Sequence, residues 1–198
     1  MNPLSSHPAL PARGSAAGRA LRSSILWSVV GSLLLAACSL PTPQADPVRY
    51  FTLSGPVAGA ADGATVRPVQ LAGHLRGRQM AVRTAANEVV YLEEVRWAEP
   101  LDEAITQVLR ARAGAGAAAA GSTVAVQIQR CELNRAESNS VQVAATYAIT
   151  AKDGAVKRGT FSSGPRTWDG RDAGTLVGQI RDAINELGDA IAAALDGK

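Results

Sequence analysis

The sequence predicts an α+β domain, with a mainly antiparallel sheet and two helices packed on one face. Strand-like segments come in two groups, and each group is followed by one amphipathic helix. The strands within a group are joined by short polar turns rather than by crossover helices, which favours antiparallel pairing. Their apolar residues tend to alternate with polar ones, as in a sheet that is covered on one side.

The first group of strands lies between the N-terminal segment and Pro100. β-branched and aromatic residues predict a strand from Val48 to Leu53. Thr65 to Leu71 is a second strand, and Pro68 within it indicates an edge position. A hairpin is predicted from Gln79 to Thr84 and from Glu88 to Glu93, with Ala85-Ala86-Asn87 as its turn.

A first helix is predicted to begin at Pro100, because proline suits the first helical position, where an N–H has no partner. Acidic residues lie in its first turn and basic residues in its last, which the helix dipole favours. Its apolar face is formed by Leu101, Ile105, Val108 and Leu109. The Gly- and Ala-rich stretch from Gly114 to Gly121 follows as a connector.

The second group of strands has clearer alternation. One strand contains Val124, Val126 and Ile128, and the next contains Val141, Val143, Ala145, Tyr147 and Ile149. Asp153-Gly154 predicts a tight hairpin turn in which both central residues have positive φ. This turn leads into a third strand from Val156 to Ser162.

A long helix closes the chain, with Asp172 as its predicted N-cap. Its buried stripe repeats every three or four residues: Leu176, Ile180, Ile184, Leu187, Ile191 and Leu195. Its charged side chains, among them Arg181, Asp182, Glu186 and Asp189, fall on the opposite, solvent-facing side. Gly178 and Gly188 each weaken a helix by about 1 kcal/mol relative to alanine, so tertiary packing must hold it.

The first 37 residues have the layout of a secretory signal peptide. They contain three arginines and no acidic residue, and they end in the apolar run Ile25 to Ala37. This run of thirteen residues is shorter than the roughly 20 that a membrane-spanning helix needs. We therefore expect residues 1–37 to be a targeting segment that is removed before Cys38.

Leu35-Ala36-Ala37-Cys38 resembles the lipobox of bacterial lipoproteins. The Cys38 thiol would take up a diacylglyceryl group, and cleavage would leave Cys38 as an acylated N-terminus. More than one acyl chain is needed for stable anchoring. Ser39 resembles the pattern that favours the outer membrane, on its periplasmic face. Residues 38–47, with three prolines, form a lipidated tether, and residues 48–198 form the folded domain.

The charge distribution argues against nucleic-acid binding. The formal charge is +3, but three of the 20 basic residues and none of the 17 acids precede Cys38. The part after the signal peptide therefore has 17 basic residues against 17 acidic ones and no net charge. Proteins that follow a phosphate backbone usually carry a basic excess on the folded domain. We expect no nucleic-acid partner.

No catalytic, cofactor or metal site is predicted, and the chain is not expected to be an enzyme. His74 is the one histidine after Cys38, and no nucleophile or orienting group accompanies it in the sequence. We interpret it as a surface-loop residue. Cys131 has no partner for a disulfide once Cys38 is lipidated, and we interpret it as a packed thiol rather than a redox group.

Two further features can be interpreted either as ordinary structural residues or as functional ones. Arg76, Arg78 and Arg83 form a basic cluster beside His74, either a solvated loop or a contact for lipid phosphates or an acidic partner. Trp97, just before the first helix, is more easily explained as a core anchor than as a ligand platform.

Three segments resemble the ABC-type transport auxiliary lipoproteins, whose best-known members are PqiC-type lipoproteins. They are Tyr50-Phe51-Thr52-Leu53, the stretch from Leu71 to Arg83, and Arg96-Trp97-Ala98-Glu99-Pro100-Leu101 followed by Ile105, Val108 and Leu109. The closing helix is also similar, so the resemblance extends from about Tyr50 to Leu195. It departs at Gly114 to Gly121, where a more apolar segment is usual, and at Cys131, where an aromatic residue is usual.

The resemblance implies a non-catalytic auxiliary component of an MCE-type ABC transport system that moves phospholipids or other lipids and supports envelope integrity. It implies an MCE-domain periplasmic protein as partner, with the membrane reached through the lipid anchor. Self-association into a homo-oligomer stays open at this stage. One alternative is an envelope-assembly or scaffold lipoprotein without a transporter. Another is a small hydrolase, which would need a polar pocket around His74.

Overall fold

The protein is described by a computed structural model that covers residues 47–53, 63–113 and 120–197. The signal segment, Cys38, most of the tether and most of the Gly114 to Gly121 connector lie outside these residues. The described elements are β1 (Arg49–Phe51), β2 (Thr65–Val66), β3 (Gln70–Leu71), a 3₁₀ turn (Gly73–Leu75), β4 (Gln79–Ala85), β5 (Glu88–Trp97), α1 (Leu101–Ala113), β6 (Thr123–Asn134), β7 (Ser140–Thr150), β8 (Val156–Ser162), β9 (Arg166–Thr167) and α2 (Ala173–Leu195).

The strands form one sheet in the order β1-β5-β4-β6-β7-β8, with β2 and β3 beside β6 and β9 beside β7. The long ladders, β4 with β5, β6 with β7 and β7 with β8, are antiparallel. Parallel pairing is confined to short stretches of two or three residues. Pro68 lies between β2 and β3, which both pair with β6. The predicted α+β class with a mainly antiparallel sheet is therefore confirmed.

The turn between β7 and β8 differs from the prediction. Gly154 has φ of 87°, but Asp153 does not have positive φ, because Asn139 is the one described non-glycine residue that does. The Gly154 N–H donates to the Ala151 carbonyl at 2.9 Å, and the Ala151 N–H donates to the Ala155 carbonyl at 2.8 Å. The loop thus has three residues and a single left-handed glycine. The expectation of positive φ at both positions was wrong.

A register shift in β6 decides which of its side chains enter the core. Val124, Val126 and Ile128 are buried against the helices, as predicted. The pairing with β7 then shifts between Ile128 and Arg130. Because a β-bulge adds one residue to a strand, the buried positions continue at odd numbers, at Cys131 and Leu133. Glu132 consequently lies on the opposite, outer face of the sheet.

The first helix packs as its sequence predicts. Leu101, Ile105 and Leu109 are buried, and Val108 is partly buried against the same core. Pro100 lies one residue before the helix, and its carbonyl accepts the Ala104 N–H at 3.0 Å. Proline is thus the N-cap residue rather than the first helical one, a difference of one position.

The closing helix begins at its predicted cap and buries its predicted stripe. The Asp172 carboxylate accepts the Thr175 N–H at 3.0 Å. The stripe from Leu176 to Ile191 is buried, whereas Leu195 is partly buried. A Cβ on Gly188 would lie 2.9 Å from the Arg112 Cβ, so this glycine allows α2 to approach α1 closely. Neither described helix is long and apolar enough to span a membrane.

Candidate functional site

The residues singled out from the sequence are not gathered into one site. Cys38 lies outside the described residues. Trp97 is 3% exposed and belongs to the core, as predicted. Arg76 and Arg78 are exposed, whereas Arg83 is withdrawn into a polar cluster on the outer face of the sheet. In the predicted basic cluster, Arg76 and Arg78 therefore face solvent, whereas Arg83 packs within the protein.

This polar cluster consists of Glu132, Arg83 and His74, and we call it the Glu132 cluster. The Glu132 side chain is fully buried. Arg83 donates through Nε to Glu132 Oε1 at 2.5 Å and through Nη2 to Oε2 at 3.3 Å. This two-point contact matches the planar fork of a guanidinium to a carboxylate. The buried charge on Glu132 is thus compensated from β4, the neighbouring strand.

His74 is brought to the cluster by the 3₁₀ turn from Gly73 to Leu75. Leu75 is buried and anchors this turn, while the Tyr91 hydroxyl donates to the His74 carbonyl at 3.1 Å. His74 Nε2 then lies 3.3 Å from Glu132 Oε2, in a contact that lacks hydrogen-bond alignment. The His74 side chain is 29% exposed. The interpretation as a surface-loop residue is therefore only half right.

Glu132 was missed from the sequence, and its local pattern explains why. It alternates correctly with Cys131 and Leu133, which both face the core, so its own side chain is expected to point to solvent. Its burial comes from Arg83 and from the turn that carries His74, which are 49 and 58 residues away in the chain. Contacts at this sequence separation leave no periodic signal.

The chemistry of the Glu132 cluster favours a structural clamp. A histidine next to a carboxylate can act as a general base when a nucleophile is within reach. Among the described residues, no serine, threonine or cysteine side chain is hydrogen-bonded to His74. Within that same part of the chain, no group of three His, Cys, Asp or Glu side chains could hold a metal ion.

Cys131 lies in the core, on the other face of the sheet from Glu132. Its thiol is 1% exposed. Burial, and secondarily the charge of Glu132, raises the pKa of Cys131 to about 12. Because the thiolate is the reactive form of cysteine, we expect Cys131 to be unreactive at neutral pH and to serve as a small packing residue.

Comparison with protein families decides what kind of protein carries this fold. Residues 51–192 match the family described as the ABC-type transport auxiliary lipoprotein component. The chain belongs to this family. The match covers the strands from β2 to β9, α1 and most of α2. A comparison with curated proteins finds no match.

Solved structures share the fold of this auxiliary lipoprotein at low sequence identity. The crystal structure of an uncharacterized protein superposes with a TM-score of 0.60 at 15% identity, covering 74% of this chain and 97% of that one. A Xanthomonas campestris protein of the DUF330 family superposes with a TM-score of 0.56 at 17% identity, covering 75% and 91%. At such identities the likeness establishes the fold alone.

Proposed function

We propose that this auxiliary lipoprotein is anchored through Cys38 to the periplasmic face of the outer membrane and serves an MCE-type ABC transport system that moves lipids. The observation that carries the proposal is the family match over residues 51–192, which makes the domain a transport component. The lipobox-like Leu35-Ala36-Ala37-Cys38 and the proline-rich tether supply the means of attachment. In this role the domain binds a partner and performs no chemistry.

The first support for the proposal comes from the division of the chain. Residues 1–37 have the properties of a signal peptide, residues 38–47 those of a tether, and a folded domain follows. The chain after the signal peptide carries no net charge, so its attachment to a membrane depends on acyl chains rather than on attraction to anionic lipids.

The second support comes from the Glu132 cluster. Its charged groups are engaged with one another and with the Ala86 carbonyl, which Arg83 Nη1 contacts at 3.1 Å. A buried, mutually compensated cluster stabilises the packing of β4, β6 and the 3₁₀ turn. Such packing suits a domain that acts as a docking surface for a partner.

Anchoring is tested by labelling cells with palmitate and separating their membranes on a density gradient. The unaltered chain is expected to carry label and to sediment with the outer membrane. Cys38→Ala should lose the label and leave the membrane fraction. Cys131→Ala is the matched control, because it removes the other cysteine of the chain and should keep both label and location. An unlabelled wild-type chain would refute the anchoring proposal.

The transport role is tested by genetic epistasis. If the chain serves a transporter, deleting its gene, deleting the gene for the transporter ATPase, and deleting both should give the same sensitivity to detergent. The scaffold alternative predicts that the double deletion is more sensitive than either single one. Additive sensitivity would therefore contradict the transport role while leaving the lipid anchor in place.

A further inference from the structure

The outer face of the sheet carries a shallow trough between two arginines. In one row across four strands, Arg67 follows β2, Ala125 and Ala148 are paired in β6 and β7, and Arg158 pairs with Ala148 from β8. Arg67 continues the β2 register by one residue, and its N–H donates to the Val124 carbonyl at 2.9 Å. Two alanines thus form a low floor, and an arginine stands at each end.

A second row beside the first consists of hydrogen-bonding side chains. Gln70 of β3 pairs with Gln127, Gln127 pairs with Thr146, and Thr146 pairs with Thr160. Together the two rows line a cavity of about 840 Å³. This volume lies within the usual range for small-molecule sites, roughly 300–1,000 Å³. The trough therefore has an alanine floor, an arginine at each end and a row of glutamine and threonine side chains along one side.

Both arginines of the trough are free to bind a ligand. Among the described residues, the guanidinium groups of Arg67 and Arg158 make no hydrogen bond and no ion pair. Those of Arg83, Arg112 and Arg166, in contrast, are paired. The residues that line the trough include no aspartate or glutamate. A neighbouring cavity of about 620 Å³ shares Gln70 and Gln127 but contains Asp102. The lining of the trough thus carries two arginines and no carboxylate to compensate them.

We propose that this trough binds a phosphate ester, with Arg67 and Arg158 holding the phosphate from opposite ends. Their Cα atoms are separated by three strand spacings, roughly 14 Å, so two extended guanidinium groups can meet over the alanine floor. Guanidinium groups bind phosphate in a bidentate manner. The glutamine and threonine row then provides donors and acceptors for hydroxyl groups on the esterified part.

The shape of the trough limits the ligand to a polar head. The trough is open to solvent, so an acyl chain lying in it would stay largely in contact with water and gain little. The shared chemistry is a phosphate attached to a hydroxylated group, which occurs both in a phospholipid headgroup and in a soluble sugar or glycerol phosphate. This proposal goes beyond transporter assembly, since direct binding by the isolated full chain requires no partner.

The test uses the full chain purified in a non-ionic detergent. Calorimetric titration with glycerol 3-phosphate measures the soluble ligand, and native mass spectrometry with phosphatidylglycerol or diacylglycerol measures the lipid. We expect saturable binding to phosphatidylglycerol, little retention of diacylglycerol, and about tenfold or more weakening in Arg67→Gln/Arg158→Gln. Arg171→Gln/Arg181→Gln, at exposed positions outside the trough, removes the same charge and should bind as wild type does.

A second variant tests the shape of the trough without altering its charge. Ala148→Leu fills the floor from an outward-facing, partly exposed position and should weaken binding while leaving the thermal midpoint nearly unchanged. Binding of glycerol 3-phosphate and phosphatidylglycerol alike supports a soluble or lipid phosphate ester, and binding of phosphatidylglycerol alone supports a lipid headgroup. The proposal is overturned if neither probe binds, or if the double arginine variant binds as tightly as wild type.

Discussion

The Glu132 carboxylate lies in a part of the sheet that is closed to solvent, and the Arg83 guanidinium compensates its charge. Taking a charge out of water costs several kcal/mol unless it is paired and hydrogen-bonded. The Arg83 side chain is itself only 13% exposed, so either group would be left as an uncompensated charge without the other. At the scale of single residues, this pair fixes how β4 meets β6.

Glu132→Gln should therefore lower the free energy of unfolding by about 3 kcal/mol, because the Arg83 charge loses its counterion in a largely buried place. Chemical denaturation followed by circular dichroism measures this change. Glu93→Gln, at an exposed position of β5, should stay within about 0.5 kcal/mol of wild type. Equal effects of the two substitutions would show that the clamp contributes nothing.

Cys131 is expected to be unreactive in the folded protein, because its pKa of about 12 keeps it protonated and its sulfur is buried. The Cys38→Ala variant is suited to this test, since Cys131 is then its one cysteine. At pH 8 the folded variant should not react with a disulfide reagent, and one thiol should react after unfolding in guanidinium. Rapid reaction of the folded protein would mean that the thiol is accessible.

At the scale of elements, the contact between α1 and α2 depends on the absence of a side chain. Gly188 lies against Arg112, and Arg112 Nη1 also contacts both carboxylate oxygens of Asp189, at 2.7 and 2.8 Å. Glycine lowers helix stability by about 1 kcal/mol relative to alanine, but its lack of a side chain permits this close approach. A Cβ on Gly178, in the same helix, would have no neighbour within 4 Å.

Gly188→Ala is expected to destabilise the protein by about 1 kcal/mol, because overpacking costs about 1–3 kcal/mol and outweighs the gain in helix propensity. Gly178→Ala adds the same methyl group to the same helix without a clash and should stabilise by up to about 1 kcal/mol. Thermal unfolding of both variants measures the difference. If both substitutions stabilise equally, the helices do not meet at Gly188.

The start of α2 should respond to acid. The Thr175 N–H, the Gly174 N–H and the Arg49 side chain together lower the pKa of Asp172 from its ordinary value of 3.8. A lowered pKa stabilises the fold above the ordinary value, and this contribution is lost as the pH falls through the lower value. Asp172→Asn should therefore lower the midpoint temperature of thermal unfolding at pH 7. Near pH 2 the same substitution should change this midpoint less. A pH-independent difference would contradict a role for the charge.

The elements that could be predicted from the sequence are those fixed by local rules. The stripe from Leu176 to Ile191 and the alternation in β6 and β7 follow from periodicity, and Asp172 follows from capping preference. The turn at Asp153-Gly154 was predicted with the wrong geometry, because a two-residue and a three-residue loop share the same Asp-Gly sequence. The Glu132 cluster and the arginine trough depend on pairing between distant strands, which no local pattern reveals.

At the scale of the whole molecule, we propose a non-catalytic domain carried on a short tether, with no net charge on the chain after the signal peptide. The family assignment makes it an ABC-type transport auxiliary lipoprotein component. The proposed anchor at Cys38 would confine the domain to a narrow layer near one membrane. Confinement raises the effective concentration of the domain for a partner that reaches the same layer, so a weak docking contact would suffice.

The identity of that partner is the central claim, and co-purification tests it most directly. A C-terminally tagged chain is expressed at its native level, cross-linked in living cells and recovered from detergent extracts, and the recovered proteins are identified by mass spectrometry. We expect an MCE-domain protein together with the permease and ATPase of its transporter, with much lower recovery from Cys38→Ala cells. Recovery of assembly or scaffold proteins, with no transporter subunit above the untagged control, would contradict the account.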